Sequence, residues 1–203
     1  MTGRPATMTP RRWEVLSSVA ATFAAEGYHA VGMRQIAQEL GLNQGTLYHH
    51  FASKDHALLA VCLVGHEETL ANAVAALQQV GTFEDRLRML FERHLASLDR
   101  IGDFIQVFVN QRDALPPDLA APLHEGWRQT RDLMLQLFVE AISRGEIRAD
   151  VDPRNGSRLL LSVYRTINLL HGMGRSAELP DYVEFALRTL LYGMATGPAG
   201  GRS

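Results

Sequence analysis

The spacing of apolar residues makes the chain helical nearly throughout. Trp13, Leu16, Ala20 and Phe23 recur at three- and four-residue intervals, the period of one helix face. Thr9 can cap this first helix, Pro10 suits its first position, and Gly27 ends it. A short second helix is predicted over about 33–40, with Met33, Ile36, Ala37 and Leu40 inward and Gly41 as terminator. Asn43 then caps a third short helix that runs through about His50. Its inner face is Leu47 with Phe51 four residues on, and Leu42 packs before it. Ser53 can cap a fourth, longer helix, with Asp55 in the first turn where the helix dipole favours a carboxylate. From about Thr82 five more helices follow, near 82–100, 102–113, 117–145, 154–174 and 180–196, separated by Pro116-Pro117, Gly145-Glu146 and Pro180. Strand-like alternation is scarce, so the expected fold class is all-α. The expected organisation is a helix-turn-helix head over 10–54 and a larger helical domain over 55–196, with disordered tails at 1–9 and 197–203.

Composition narrows the class. The chain has 203 residues, 46% of them hydrophobic, enough for one domain or two small ones. The single cysteine, Cys62, allows no internal disulfide and fits a reducing compartment. No apolar run in the sequence approaches the roughly 20 residues of a membrane span, and the N-terminus has no hydrophobic stretch of signal type. A cytoplasmic protein without a membrane partner is expected. The net charge is −2. Residues 1–56 hold five basic against four acidic groups and four histidines, and the remainder 15 against 18. An architectural DNA coat would be strongly basic, and this chain is not. His49, His50, His56, Cys62 and His66 match no closed zinc spacing, and adjacent His49 and His50 point different ways on a helix. There is no nucleophile elbow or phosphate loop either, so no metal, cofactor or catalytic residue is expected.

The stretch 43–51 reads NQGTLYHHF. Three polar rings in a row suit a surface that touches something. Helix, tight glycine turn, helix is the helix-turn-helix arrangement, and the exposed face of its second helix enters the major groove of DNA. With Leu47 inward, Gln44, Gly45, Thr46, Tyr48, His49 and His50 face other directions. Gln44 and Thr46 can reach base edges, Gly45 lets backbone approach the duplex, and Tyr48 and His49 can meet phosphates or thymine methyls. Lys54 can meet a phosphate at the start of the next helix.

The segment from Val15 to Leu59 resembles the DNA-binding domain of the TetR family of bacterial transcriptional regulators. The resemblance is carried by R-x-I-A-x-x-L-G from Arg34 and G-T-L-Y-x-H-F-x-S-K from Gly45, and it covers about a quarter of the chain. It implies a three-helix head with the third helix as reader. Arg34 matches a second-helix position that often contacts DNA. Gln44, Gly45, Thr46, Tyr48, His49, His50 and Lys54 match reader or phosphate-contacting positions. The family usually carries Thr or Ser just before the second helix, where this chain has Val31-Gly32-Met33, so the hydroxyl contact to phosphate is lost.

In the larger remainder, helix 154–174 carries a polar stripe of Arg154, Arg158, Ser162 and Arg165 flanked by apolar residues, and helix 181–195 is apolar over most of its girth. Such surfaces want more than one partner. The resemblance implies the same: two helices from each subunit form a four-helix dimer interface. Leu160, Tyr164, Ile167, Leu187, Leu190, Leu191 and Met194 are its expected residues. Met89, Phe104, Phe108 and Trp127 suit a cavity lining, with Arg112, Arg131, Asn168 and His171 as polar groups near it. The segments 109–113 (VNQRD) and 145–153 (GEIRADVDP) resemble a branch of the family that often senses acyl-coenzyme A thioesters. Arg112 or Arg131 would then meet the anion. A hydrophobic cation is the alternative ligand and would need Glu92 or Glu140 inward. The expected function is a ligand-responsive repressor that binds a palindromic operator in double-stranded DNA as a homodimer. The alternative is a helical small-molecule-binding protein or enzyme whose head has another role.

Overall fold

The computed structural model describes residues 8–194. Most of both expected tails, residues 1–7 and 197–203, lies outside that range, as do 195 and 196 at the end of the last predicted helix. Among the described residues eight α-helices run α1 (Pro10–Glu26), α2 (Met33–Glu39), α3 (Gln44–His50), α4 (Lys54–Gln78), α5 (Phe83–Gln111), α6 (Pro117–Ser143), α7 (Pro153–Gly172) and α8 (Leu179–Met194). Short 3-10 turns at Arg112–Ala114 and Ser176–Glu178 precede α6 and α8. No strand forms among the described residues.

Local chemistry accounts for the first four helices. Thr9 accepts from the Arg12 amide, Asn43 from the Thr46 amide at 2.7 Å, and Ser53 from the His56 amide. Gly32 begins α2 with no side-chain cap. Gly27 (φ 88°) and Gly41 (φ 63°) provide the left-handed positions after α1 and α2. The predicted helices 82–100 and 102–113 meet in α5 at a kink, where Ile101 has non-helical backbone (φ −142°, ψ 34°). The break falls at the expected place. One further expectation is corrected. α4 is long and apolar enough to cross a membrane by length and composition, with mean hydropathy 1.3. Of that window, 56% is buried inside the chain, so its apolar surface serves as core.

The chain forms two compact units. The first comprises residues up to Thr69 with Ala96–Trp127. Its core holds Leu16, Phe23, Ile36, Leu47, Leu58 and Phe108, all fully buried. Trp13 of α1 stacks on Phe104 of α5 at 4.9 Å. Gln111, at the end of α5, donates to the Phe23 carbonyl and accepts from the Tyr28 amide, both at 2.7 Å, clasping the C-terminal turn of α1. Tyr28 in turn donates to Asp55 in the first turn of α4.

The second unit comprises Leu70–Leu95 with residues from Arg128 onward. Phe138 is fully buried against Phe83 (5.0 Å, edge-on) and above Gly156, where a Cβ would lie 2.5 Å from the ring. Arg86 pairs with Glu140 at 2.7 Å and holds that carboxyl below the usual carboxylate range. A buried polar group crosses this core. His94 Nε2 meets Asn168 Oδ1 at 3.0 Å, its ring lies 4.2 Å from Tyr164, and Tyr164 donates to the Leu90 carbonyl at 3.1 Å.

Burial lowers the His94 pKa to about 4, from an ordinary 6.5. Between those values the unfolded chain takes up a proton that the folded chain refuses. The neutral imidazole's contribution is therefore complete above about pH 6.5 and is lost as pH falls toward 4. Urea unfolding is expected to show a decline of order 3 kcal/mol across that window. The slope should flatten in His94→Gln; an unchanged slope would place the proton uptake elsewhere.

Candidate nucleic-acid interface and effector site

Asn43 sets how α3 is presented. Its Oδ1 accepts from both the amide and the hydroxyl of Thr46, at 2.7 and 2.9 Å. Leu47 is fully buried and Phe51 nearly so, which fixes the rotation of the helix about its axis. Gln44, Gly45, Tyr48 and His49 are then exposed, Tyr48 by 45%. Arg34 is exposed on α2. Three expected groups are less free than the others. The Thr46 hydroxyl donates to the cap, which leaves its lone pairs for a partner. His50 is half-buried; burial lowers its pKa, and His49, Arg12 and Arg11 push the same way. Lys54 lies with its ammonium 4.2 Å above the Tyr28 ring. Arg12 was not anticipated. It is exposed on α1 and close enough to His50 to affect its charge, a proximity that spacing along the chain could not reveal.

Gly45 is informative. It lies inside a helix, where glycine costs about 1 kcal/mol relative to alanine. A Cβ there would meet only Asn43 Oδ1 at 3.4 Å, an ordinary contact. The fold itself does not require glycine at this exposed position.

The expected ligand residues divide between the units. In the first, Phe108 is the hub: Trp127 lies edge-on at 5.8 Å, the Arg112 guanidinium at 5.3 Å and the His66 ring at 5.4 Å. Arg112 also lies 5.0 Å from the Trp127 ring and donates to the Phe108 and Val109 carbonyls. Its nearest carboxylate, Asp113, is 3.8 Å away and mostly exposed. Phe104 is taken up by its stack on Trp13. His66 was weighed only as a metal ligand from sequence; its burial beside Phe108 appears only in the fold. Burial lowers its pKa, and Nδ1 has no hydrogen-bond partner. Cys62 is fully buried, and its thiol is pushed up to about 12.

In the second unit the expected group does not gather. Met89 is half-buried, and Arg131 is exposed. Asn168 is committed to His94, and His171 bonds Ser176 at 3.0 Å. The carboxylates that a cation would need are also unsuitable: Glu140 is paired with Arg86, and Glu92 is exposed.

The expected interface residues are mostly covered within the single chain. Leu160, Tyr164, Ile167, Leu187 and Leu190 are at most 5% exposed within the single chain, so they are core and have little surface to offer a partner. Leu191 and Met194 are half-buried. The outward apolar groups on these helices are Leu159, Leu169, Phe185 (66%) and Tyr192 (86%). Phe185 and Tyr192 line an open groove along α8 with Asp181, Glu184, Arg188 and Thr189.

A capped reader helix, locked by one buried leucine and turned outward in an all-helical chain, defines a helix-turn-helix regulator of transcription. The chain belongs to the TetR family. The family model for bacterial regulatory proteins of the tetR family matches residues 15–61, and the tetracyclin repressor-like C-terminal domain model matches residues 80–168. The regulator UidR of Escherichia coli K12 is 26% identical over 192 residues, covering 92% of this chain and 94% of UidR. The repressor KstR2 of Mycobacterium tuberculosis is 27% identical over 144 residues, 70% of this chain and 72% of KstR2. Among solved structures, AibR in complex with isovaleryl coenzyme A and operator DNA has a TM-score of 0.76 at 20% identity, covering 89% of this chain and 98% of AibR.

If Gly45 is kept for a partner's approach, Gly45→Ala is expected to leave thermal stability unchanged or raised. DNA affinity should fall at least tenfold. Unaltered affinity in a gel-shift titration would mean that no backbone approaches DNA there.

Proposed function

We propose that this regulator is a repressor that acts in the cytoplasm. It binds a palindromic operator as a homodimer and is released by a small amphipathic effector, an acyl-coenzyme A thioester. The head over 10–54 reads DNA, and the rest of the chain, 55–196, binds effector and partner. The carrying observation is the outward polar face of α3 with a glycine that the fold does not need. Two copies present two reader helices, so the half-sites lie about one helical turn apart, or a multiple. The exposed faces of α7 and α8 support dimerisation through Leu159, Leu169, Phe185 and Tyr192. The cluster at Phe108 supports an anionic effector, because Arg112 is a partly buried cation with only an exposed carboxylate near it. AibR, a relative in fold, is seen with an acyl-coenzyme A. No catalytic role is part of this reading.

Release follows from linkage. The effector shifts the DNA equilibrium only by its differential affinity for two conformations, and DNA weakens effector binding by the same factor.

Footprinting is expected to show symmetric protection. Gln44→Ala should cost about 1–3 kcal/mol at one position of each half-site and relax preference there. Tyr48→Ala should weaken all sequences alike. Asymmetric protection would reject the dimer on a palindrome.

Sedimentation separates interface from core. Phe185→Arg or Tyr192→Arg is expected to give folded monomers, whereas Leu190→Arg should unfold the chain by burying an unpaired charge. A folded, dimeric Tyr192→Arg and Phe185→Arg pair would move the interface elsewhere.

A further inference from the structure

Two oppositely charged neighbours at the start of α4 are kept apart by one aromatic side chain. Lys54 is the chain's only lysine. It is half-buried, and its ammonium lies 4.2 Å above the ring of Tyr28. Asp55 accepts from the hydroxyl of the same tyrosine. Both side chains therefore reach one residue, yet Lys54 forms no ion pair among the described residues. The tyrosine is held in place. It is 8% exposed, the Phe23 ring meets it edge-on at 5.5 Å, and its amide donates to Gln111 Oε1 at 2.7 Å. Burial, and then Asp55, pushes its hydroxyl up to about 12, so it stays a neutral donor. Packing alone calls for no hydroxyl, since phenylalanine fills the same space. The two polar contacts act on charge in complementary ways. The hydrogen bond occupies the carboxylate that would otherwise neutralise Lys54. The ring face attracts the ammonium without supplying a countercharge. The ammonium has three donors on a flexible stem, so those turned away from the ring are left for an anion.

We propose that Tyr28 is a positioning residue for DNA binding: it withholds Asp55 from Lys54 and so presents the ammonium, uncompensated, to a backbone phosphate. This role rests on the DNA-binding reading above, in which Lys54 meets a phosphate. With Tyr28 in place, no internal ion pair has to break before that contact forms. Without its hydroxyl, Asp55 and the phosphate compete for the same cation.

The test is a double-mutant cycle in full-length protein, titrated with a duplex that wild type selects from a random pool. Lys54→Met sets the scale. It should weaken binding and make the slope of log affinity against log salt shallower by about two for a dimer, one phosphate per head. Tyr28→Phe keeps the ring and frees the carboxylate. It is expected to bind at least threefold more weakly, with its salt slope moved in the direction of Lys54→Met. Adding Asp55→Asn to Tyr28→Phe should restore affinity to within twofold of wild type, and Asp55→Asn alone should change affinity by less than that restoration. Equal gains from Asp55→Asn in both backgrounds would reduce its effect to general electrostatics and overturn the proposal, as would Tyr28→Phe binding like wild type. Lys54→Met binding like wild type would overturn the phosphate contact itself, and the role of Tyr28 with it. The free protein supplies a second measurement whatever the stability of Tyr28→Phe. With lysine isotopically labelled at Cε, the single side-chain proton resonance of wild type should be shifted upfield by the ring, and should stay so in Asp55→Asn. An unshifted resonance would overturn the proposal without any DNA.

Discussion

The head-bearing unit depends on one close approach, that of α4 at Gly65 to the backbone of α5 at Phe104. Any Cβ at position 65 would meet the Phe104 carbonyl at 2.5 Å, a contact that real side chains do not make. Backbone in this part of α5 cannot move away cheaply, because the Phe104 ring stacks on Trp13 of α1 at 4.9 Å. Two turns on, Gln111 donates to the Phe23 carbonyl in the last turn of α1 and accepts from the Tyr28 amide just beyond it. The absence of one methyl group on α4 thus lets α5 hold the first helix of the head from two points.

That support explains how so short a reader helix keeps a defined place. α3 is only seven residues long, and such a helix is marginal in isolation. Asn43 accepts from the Thr46 amide, Leu47 and Phe51 are its buried anchors, and Gln44, Gly45, Tyr48 and His49 stay exposed. Tyr28 links the head to α4 through Asp55, and burial pushes its hydroxyl up to about 12, so it stays a neutral donor.

The two units treat buried polar groups differently. His94 has Asn168 at one nitrogen and the Tyr164 ring against its face, so it is fixed in place although Nδ1 stays unpartnered. His66 lies 5.4 Å from the Phe108 ring and beside Gly126, and its Nδ1 has no hydrogen-bond partner. A fully fixed polar group specifies a core.

Most of the head was legible in the sequence. Thr9, Asn43 and Ser53 as caps, Gly27 and Gly41 as terminators, and the inward set Leu16, Phe23, Ile36 and Leu47 are local matters of hydrogen bonding and helical period, decided within four residues. The break in α5 was legible as well, since the period of one helix stops and the next begins at Ile101 and Gly102. What lay beyond local periodicity was which side of an apolar helix is covered. α7 and α8 carry apolar residues over much of their girth, and the chain buries Leu160, Ile167 and Leu190 while leaving Leu169, Phe185 and Tyr192 outside. The Phe108 cluster has the same origin. Phe108, Arg112 and Trp127 stood out by type, whereas His66 joined them only because α4 and α6 meet without a side chain at Gly126. Helices, caps and the reader face were determined by the sequence itself, because their interactions span a turn or two. The outward apolar faces and the partnerless imidazole were decided by tertiary structure alone, because each depends on which distant helix arrives to cover it.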